Sequence, residues 1–150
     1  MSLKKSSDLK VFKISTYRHE NLFRKIKLFF QDIKFCYQRV KYGWCDGDTW
    51  NIDMWFLNII PQMIQQLKEE KHGYPGTMTE EEWDKILDDM IFYFTEACEE
   101  TCSQINQYDL FDENQVKNYL NRDLEIFEYR DKCKDKALDM FKKYFWNLWD

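Results

Sequence analysis

All four glycines and both prolines of this chain fall between Gly43 and Gly76. The residues on either side contain nothing that obliges a helix to stop. So little turn chemistry cannot serve an all-β fold, which needs many tight reversals. A few long elements joined by short connections are expected instead. The best-defined piece is a helical hairpin from Gly43 to Phe94, turning at His72-Gly73-Tyr74-Pro75-Gly76.

Apolar residues on both sides of that turn recur at three- and four-residue steps, which places them on one face of a helix. Ile52, Trp55, Phe56, Ile59, Ile60, Met63, Ile64 and Leu67 form the stripe of the first arm. Pro61 lies inside it and removes one backbone bond, which predicts a kink near Leu57. Glu69, Glu70 and Lys71 should close that arm in solvent. Thr79 and Glu82 have capping-box spacing. Trp83, Ile86, Leu87, Met90, Ile91, Phe94, Cys98 and Ile105 then predict a helix from Glu80 to about Asn106.

Before the hairpin, Leu22, Ile26, Phe29, Phe30, Ile33, Tyr37 and Val40 predict a helix over 20–40, with Gly43 free to take the left-handed cap. Asp46 or Asp48 is placed to cap the helix that follows. After the hairpin, Val116, Leu120, Leu124 and Phe127 begin another helix, and Leu138, Phe141, Phe145 and Leu148 resume its stripe. The run 130–136 is polar apart from Cys133, so a bend, a break or a solvent-bridging stretch is expected there. The fold class is all-α, an antiparallel helical bundle of four to five helices with a kinked second helix. A basic arm over 1–18 precedes a single domain over 19–150. The C-terminal stretch is long for a compact bundle, which suggests packing on a second copy.

Of the 150 residues, 44% are hydrophobic and 18% aromatic, enough for a real core. The net charge is −5, which makes nucleic acid a poor partner. Charge is uneven: residues 3–41 are basic, and the stretch from Glu80 to Glu100 is acidic. Such a dipole favours self-association or steers a charged partner. The five cysteines form no Cys-x-x-Cys pair, and Cys36 and Cys98 lie on apolar helical faces, which points to a reduced, intracellular protein. Residues 1–10 lack the apolar run of a secretory signal, and no apolar run is long enough to span a bilayer.

Three groups could carry chemistry. Asp46, Asp48 and Asp53 supply oxygens, but a helix begins before a calcium loop could be completed. Capping suits the first two. Asp53 calls for an ion pair, with Arg39 or Lys41 as the partner. Cys98 and Cys102 share a helical face, where packing as small hydrophobes is favoured over zinc binding. Glu96-x-x-Glu99 and Glu128-x-x-Asp131 resemble the paired acids of the all-α nucleotide pyrophosphatases. That resemblance implies Mg²⁺ held by Glu96, Glu99, Glu128 and Asp131 against a nucleotide's phosphates. No nucleophile elbow or glycine-rich phosphate loop is present.

Trp44, Asp46, Asp48, Trp50, Tyr74, Trp146 and Trp149 are the candidate binding residues, because exposed aromatic rings suit contact surfaces. The block Tyr42 to Trp50, the Pro61 helix, the turn Gly73-Tyr74-Pro75-Gly76 and the run Glu81-Glu82-Trp83-Asp84-Lys85-Ile86-Leu87, completed by Met90-Ile91, resemble a family of phage and prophage proteins. Its pattern is Gly-aromatic-x-Asp-x-Asp-x-Trp, a helix, Gly-x-Pro, then Glu-Trp-x-x-Ile-Leu-x-x-Met-Ile. The resemblance covers roughly residues 38–94 and implies action in a host cytoplasm, without implying a reaction. The expectation is a binding protein without cofactor or metal. Its partner would be a host or phage protein, or another copy of itself. Mg²⁺-dependent nucleotide hydrolysis is the enzymatic alternative. An acidic surface that mimics DNA and captures a host protein is the third reading.

Overall fold

The computed structural model describes residues 21–149. Four α-helices run through them: α1 (Leu22–Tyr42), α2 (Ile52–Glu70), α3 (Glu80–Ala97) and α4 (Val116–Tyr144). Short 3-10 turns occupy Asp48–Trp50 and Phe145–Asn147. No strand occurs among the described residues, and the fold is an all-α bundle. None of these helices is long and apolar enough to cross a membrane. The basic arm expected over 1–18 lies outside the described residues.

Within the stretch 19–150, the chain divides into two compact units between Phe56 and Leu57. The division falls inside α2, at the carbonyl that Pro61 leaves without its helical donor. One turn further on, the Gln62 side chain donates to the Asn58 carbonyl (2.7 Å).

The first unit contains α1, the turn after it and the first residues of α2. Asn21 caps α1 by accepting from the Arg24 amide, and Gly43, at φ 80°, ends it in the left-handed conformation. No residue of α1 is buried, so its apolar stripe is a surface and not a core face. Cys36 is likewise exposed. What holds the turn is polar. Asp46 accepts from Lys34 (2.7 Å) and Gln38 (2.8 Å). Asp48 accepts from Arg39 Nη2 (2.6 Å), Arg39 Nε (3.2 Å) and the Cys45 amide (2.8 Å). Neither aspartate caps α2: the 3-10 turn intervenes, and both carboxylates reach back to α1. Arg39 therefore pairs with Asp48, and Asp53 stands exposed.

Burial pushes the Asp48 carboxyl up, but Arg39 and the Cys45 amide outweigh it and hold it below the usual carboxylate range. A depressed folded pKa stabilises above the unfolded value, about 3.9, and that stabilisation is lost as pH falls through the folded value. Asp48→Asn is expected to cost about 2–3 kcal/mol at neutral pH. It should also flatten the acid-induced loss of helical circular dichroism below about pH 4, where the wild type still responds.

The second unit holds the later turns of α2, then α3 and α4. Its core comes mainly from α3, where Trp83, Leu87, Met90 and Phe94 are fully or almost fully buried. The Thr79–Glu82 capping box forms in both directions. Pro61 and Ile64 are the buried face of α2. Lys71 does not end that helix in solvent: it pairs with Glu80 and Asp84, at 3.1 Å each, with only 6% of its side chain exposed.

α3 and α4 run antiparallel. Trp83 meets Tyr144 at one end, and Glu96 and Ala97 meet Tyr129 and Arg130 at the other. α3 stops at Ala97, nine residues short of the Asn106 expected from periodicity, and Cys98 is already extended. The chain turns there because Thr101 and Ser103 hydrogen-bond back to Thr95 and Glu96. Cys98 and Cys102 thus share no helical face, and Ile105 is exposed. α4 is unbroken through 130–136. Cys133 and Ala137 are its buried residues, Arg130 donates to the Ala97 carbonyl (3.0 Å), and Lys136 lies over the Tyr93 ring. The polar run serves α3 instead of interrupting α4. Leu120, Leu124 and Phe127, from the stripe that begins α4, are exposed.

Candidate functional site

In the second unit, α2 and the end of the chain enclose an apolar groove of about 510 Å³. Ile60, Met63, Ile64 and Leu67 form one wall, at helical spacing along α2. Phe141, Phe145, Trp146, Leu148 and Trp149 form the other. The second wall begins on the last turns of α4 and continues through the 3-10 turn Phe145–Asn147. Trp146 lies opposite the buried face of α4, nine residues and about half a turn of phase beyond the buried Ala137. A chain of edge-to-face rings links the groove to the core. Phe94 meets Phe141 at 5.9 Å between centroids, Phe141 meets Phe145 at 5.5 Å, and Phe145 meets Trp146 at 5.2 Å.

The groove is open to solvent. Trp146 is 84% exposed, Trp149 73% and Met63 61%. Beside it lies a second pocket of about 350 Å³, lined by the Gly73–Thr77 turn, Trp83, Asn147 and Trp149. Tyr74 and Trp149 face this pocket, and Trp149 belongs to both. Three of the sequence-expected binding residues, Tyr74, Trp146 and Trp149, are thereby brought together. The other four belong to the first unit: Trp44 and Trp50 are exposed, whereas Asp46 and Asp48 are spent on α1. The groove residues Met63 and Phe145 belong to stripes expected from periodicity, which does not separate a buried stripe from an exposed one.

The proposed acid ladder does not assemble. One oxygen of Glu96, a residue only 2% exposed, accepts from the Ser103 amide (3.1 Å), Ser103 Oγ (2.7 Å) and Tyr129 Oη (3.0 Å), with Cys102 Sγ at 3.9 Å. Glu99 pairs with Arg130 at 3.5 Å, Asp131 with Lys134, and Glu128 is exposed. Among the described residues, no group of three or more His, Cys, Asp or Glu is placed to hold a metal ion. Burial, the Glu96 carboxylate and the neighbouring Cys133 push the Tyr129 hydroxyl well above the ordinary tyrosine range. A buried carboxylate joined to three protein donors is a structural hub, and the sequence signalled it only as one acid among many.

The groove between α2 and the end of the chain, with one aliphatic and one largely aromatic wall, suits apolar side chains presented by another chain. Comparison with protein-family models, curated proteins and solved structures finds no match for this chain.

Proposed function

We propose that the protein acts by binding, not catalysis, and that the groove between α2 and the chain end takes an apolar helical segment of a partner chain. The carrying observation is the pairing of two largely exposed tryptophans, Trp146 and Trp149, with an apolar wall from α2. Exposed rings of this size cost solubility unless a partner covers them, and Trp is enriched among residues that dominate binding energy. Following the resemblance of residues 38–94, the setting is a phage-infected cell's cytoplasm, with a host or phage protein as partner.

A photo-crosslinking residue in place of Trp146, introduced in the cells where the protein acts, tests this. A discrete protein adduct is expected, and Met63→Asp should reduce it at least about tenfold by placing a charge in the apolar wall. No adduct, or an adduct indifferent to Met63→Asp, would remove the groove from the function.

A further inference from the structure

The chain carries two exposed apolar surfaces of different shape. One is the groove. The other is α1, a helix of 21 residues with none buried. Its stripe includes Ile26 (48% exposed), Phe29 (56%), Phe30 (65%) and Ile33 (50%). A helix gains most of its stability from burying such a stripe, and a lone helix in water is marginal.

The two surfaces match in length and chemistry. Ile26 to Ile33 covers eight residues, as does Ile60 to Leu67 on the wall of the groove. Each stretch is about 10 Å long. Rings and branched aliphatics on the helix would meet rings and aliphatics in the groove, the usual chemistry of an amphipathic helix lying in an apolar channel. Charge agrees. Over the described residues 21–56 the sequence has six Lys or Arg against four Asp or Glu, a net of +2. Over 57–149 it has eleven against twenty, a net of −9. Opposite fields on the two units favour bringing the first unit of one molecule to the second unit of another, and disfavour pairing like with like.

We infer that the occupant of the groove is α1 of a second copy of this chain. The contact is reciprocal: each molecule gives its α1 and receives its partner's, which closes a two-fold dimer with both surfaces covered. This inference rests on the groove being a binding site, and it names the partner.

Solution mass by light scattering or sedimentation, measured against concentration, tests it. The wild type is expected to be a dimer that dissociates on dilution. Phe29→Asp with Ile33→Asp removes the helix knobs, and Met63→Asp with Trp146→Asp spoils the groove. All four residues are at least half exposed, so neither variant disturbs the core. Each variant alone should raise the dissociation constant on the order of a hundredfold or more. Mixed together they should recover a heterodimer, since one variant retains a groove and the other a helix. Three results would overturn the inference: a wild-type monomer at every concentration, a groove variant that stays dimeric, or dissociation by Leu124→Asp, which alters the exposed stripe of α4 instead. A wild-type monomer whose position-146 crosslinker still captures a different protein would overturn the dimer and leave the groove's binding role standing.

Discussion

Glu96→Leu is expected to lower the thermal midpoint of unfolding by roughly 6 to 20 °C. The reason is local. Ser103 N, Ser103 Oγ and Tyr129 Oη all donate to one oxygen of a residue 2% exposed. Leucine fills the space and accepts nothing, so these donors lose their acceptor in a part-buried site. The cost is about 3–5 kcal/mol, and a domain of this size loses about 2–4 °C per kcal/mol. Glu96→Gln should do far less. Because a single oxygen carries all three bonds, an amide oxygen can stand in its place, and only the charge assistance is lost. The two variants also differ at Tyr129. Its hydroxyl titrates above the ordinary tyrosine range, so the wild type keeps this stabilisation below about pH 10 and loses it as pH rises further. Removing the Glu96 charge should bring Tyr129 ionisation, followed by ultraviolet absorbance, back toward that range. Equal thermal losses for Gln and Leu would show that Glu96 acts by its bulk and not as an acceptor.

Phe94→Ala is the second large effect. Phe94 is fully buried and stands at the head of the ring chain through Phe141 and Phe145 to Trp146. Truncation opens a cavity and should cost about 3–5 kcal/mol, read as a shift in the denaturant midpoint at unchanged slope. The same change withdraws the ring that supports the groove floor. Binding at the groove should therefore weaken even under conditions where the variant remains fully folded. Phe94→Leu, which keeps most of the volume, should recover most of the stability. Truncation at Phe111, 92% exposed, should alter neither property.

The helices were legible wherever local chemistry decides their ends. The Thr79–Glu82 box and the left-handed Gly43 cap follow from rules that act within four residues. The end of α3 was not legible, because Ala97 is followed by neither glycine nor proline. Its stop is made by Thr101 and Ser103 bonding back across a turn. Whether the stripes of α1 and α4 would be covered was not legible for a related reason. Periodicity shows that Phe29 and Leu124 share stripes with their neighbours, but whether a stripe is covered depends on partners distant in sequence. Asp46 and Asp48 were expected to cap α2: both short acids stand near its start, yet the basic residues of α1 reach them instead. Trp146 and Trp149 were recognised as surface rings, while the α2 wall opposite them was hidden within an apparently ordinary core pattern.

The exposed apolar surfaces are expected to be covered by another chain. Oxidative side-chain labelling read by mass spectrometry addresses this directly, because Met, Trp and Phe are reactive and each surface carries several. Phe111 serves as an internal reference. At high protein concentration, labelling of Met63, Trp146 and Trp149 should fall together with that of Phe29 and Phe30, returning on dilution while Phe111 stays constant. Groove and helix residues labelled as fully as Phe111 at every concentration, and equally so in cell extract, would show that no other chain covers them.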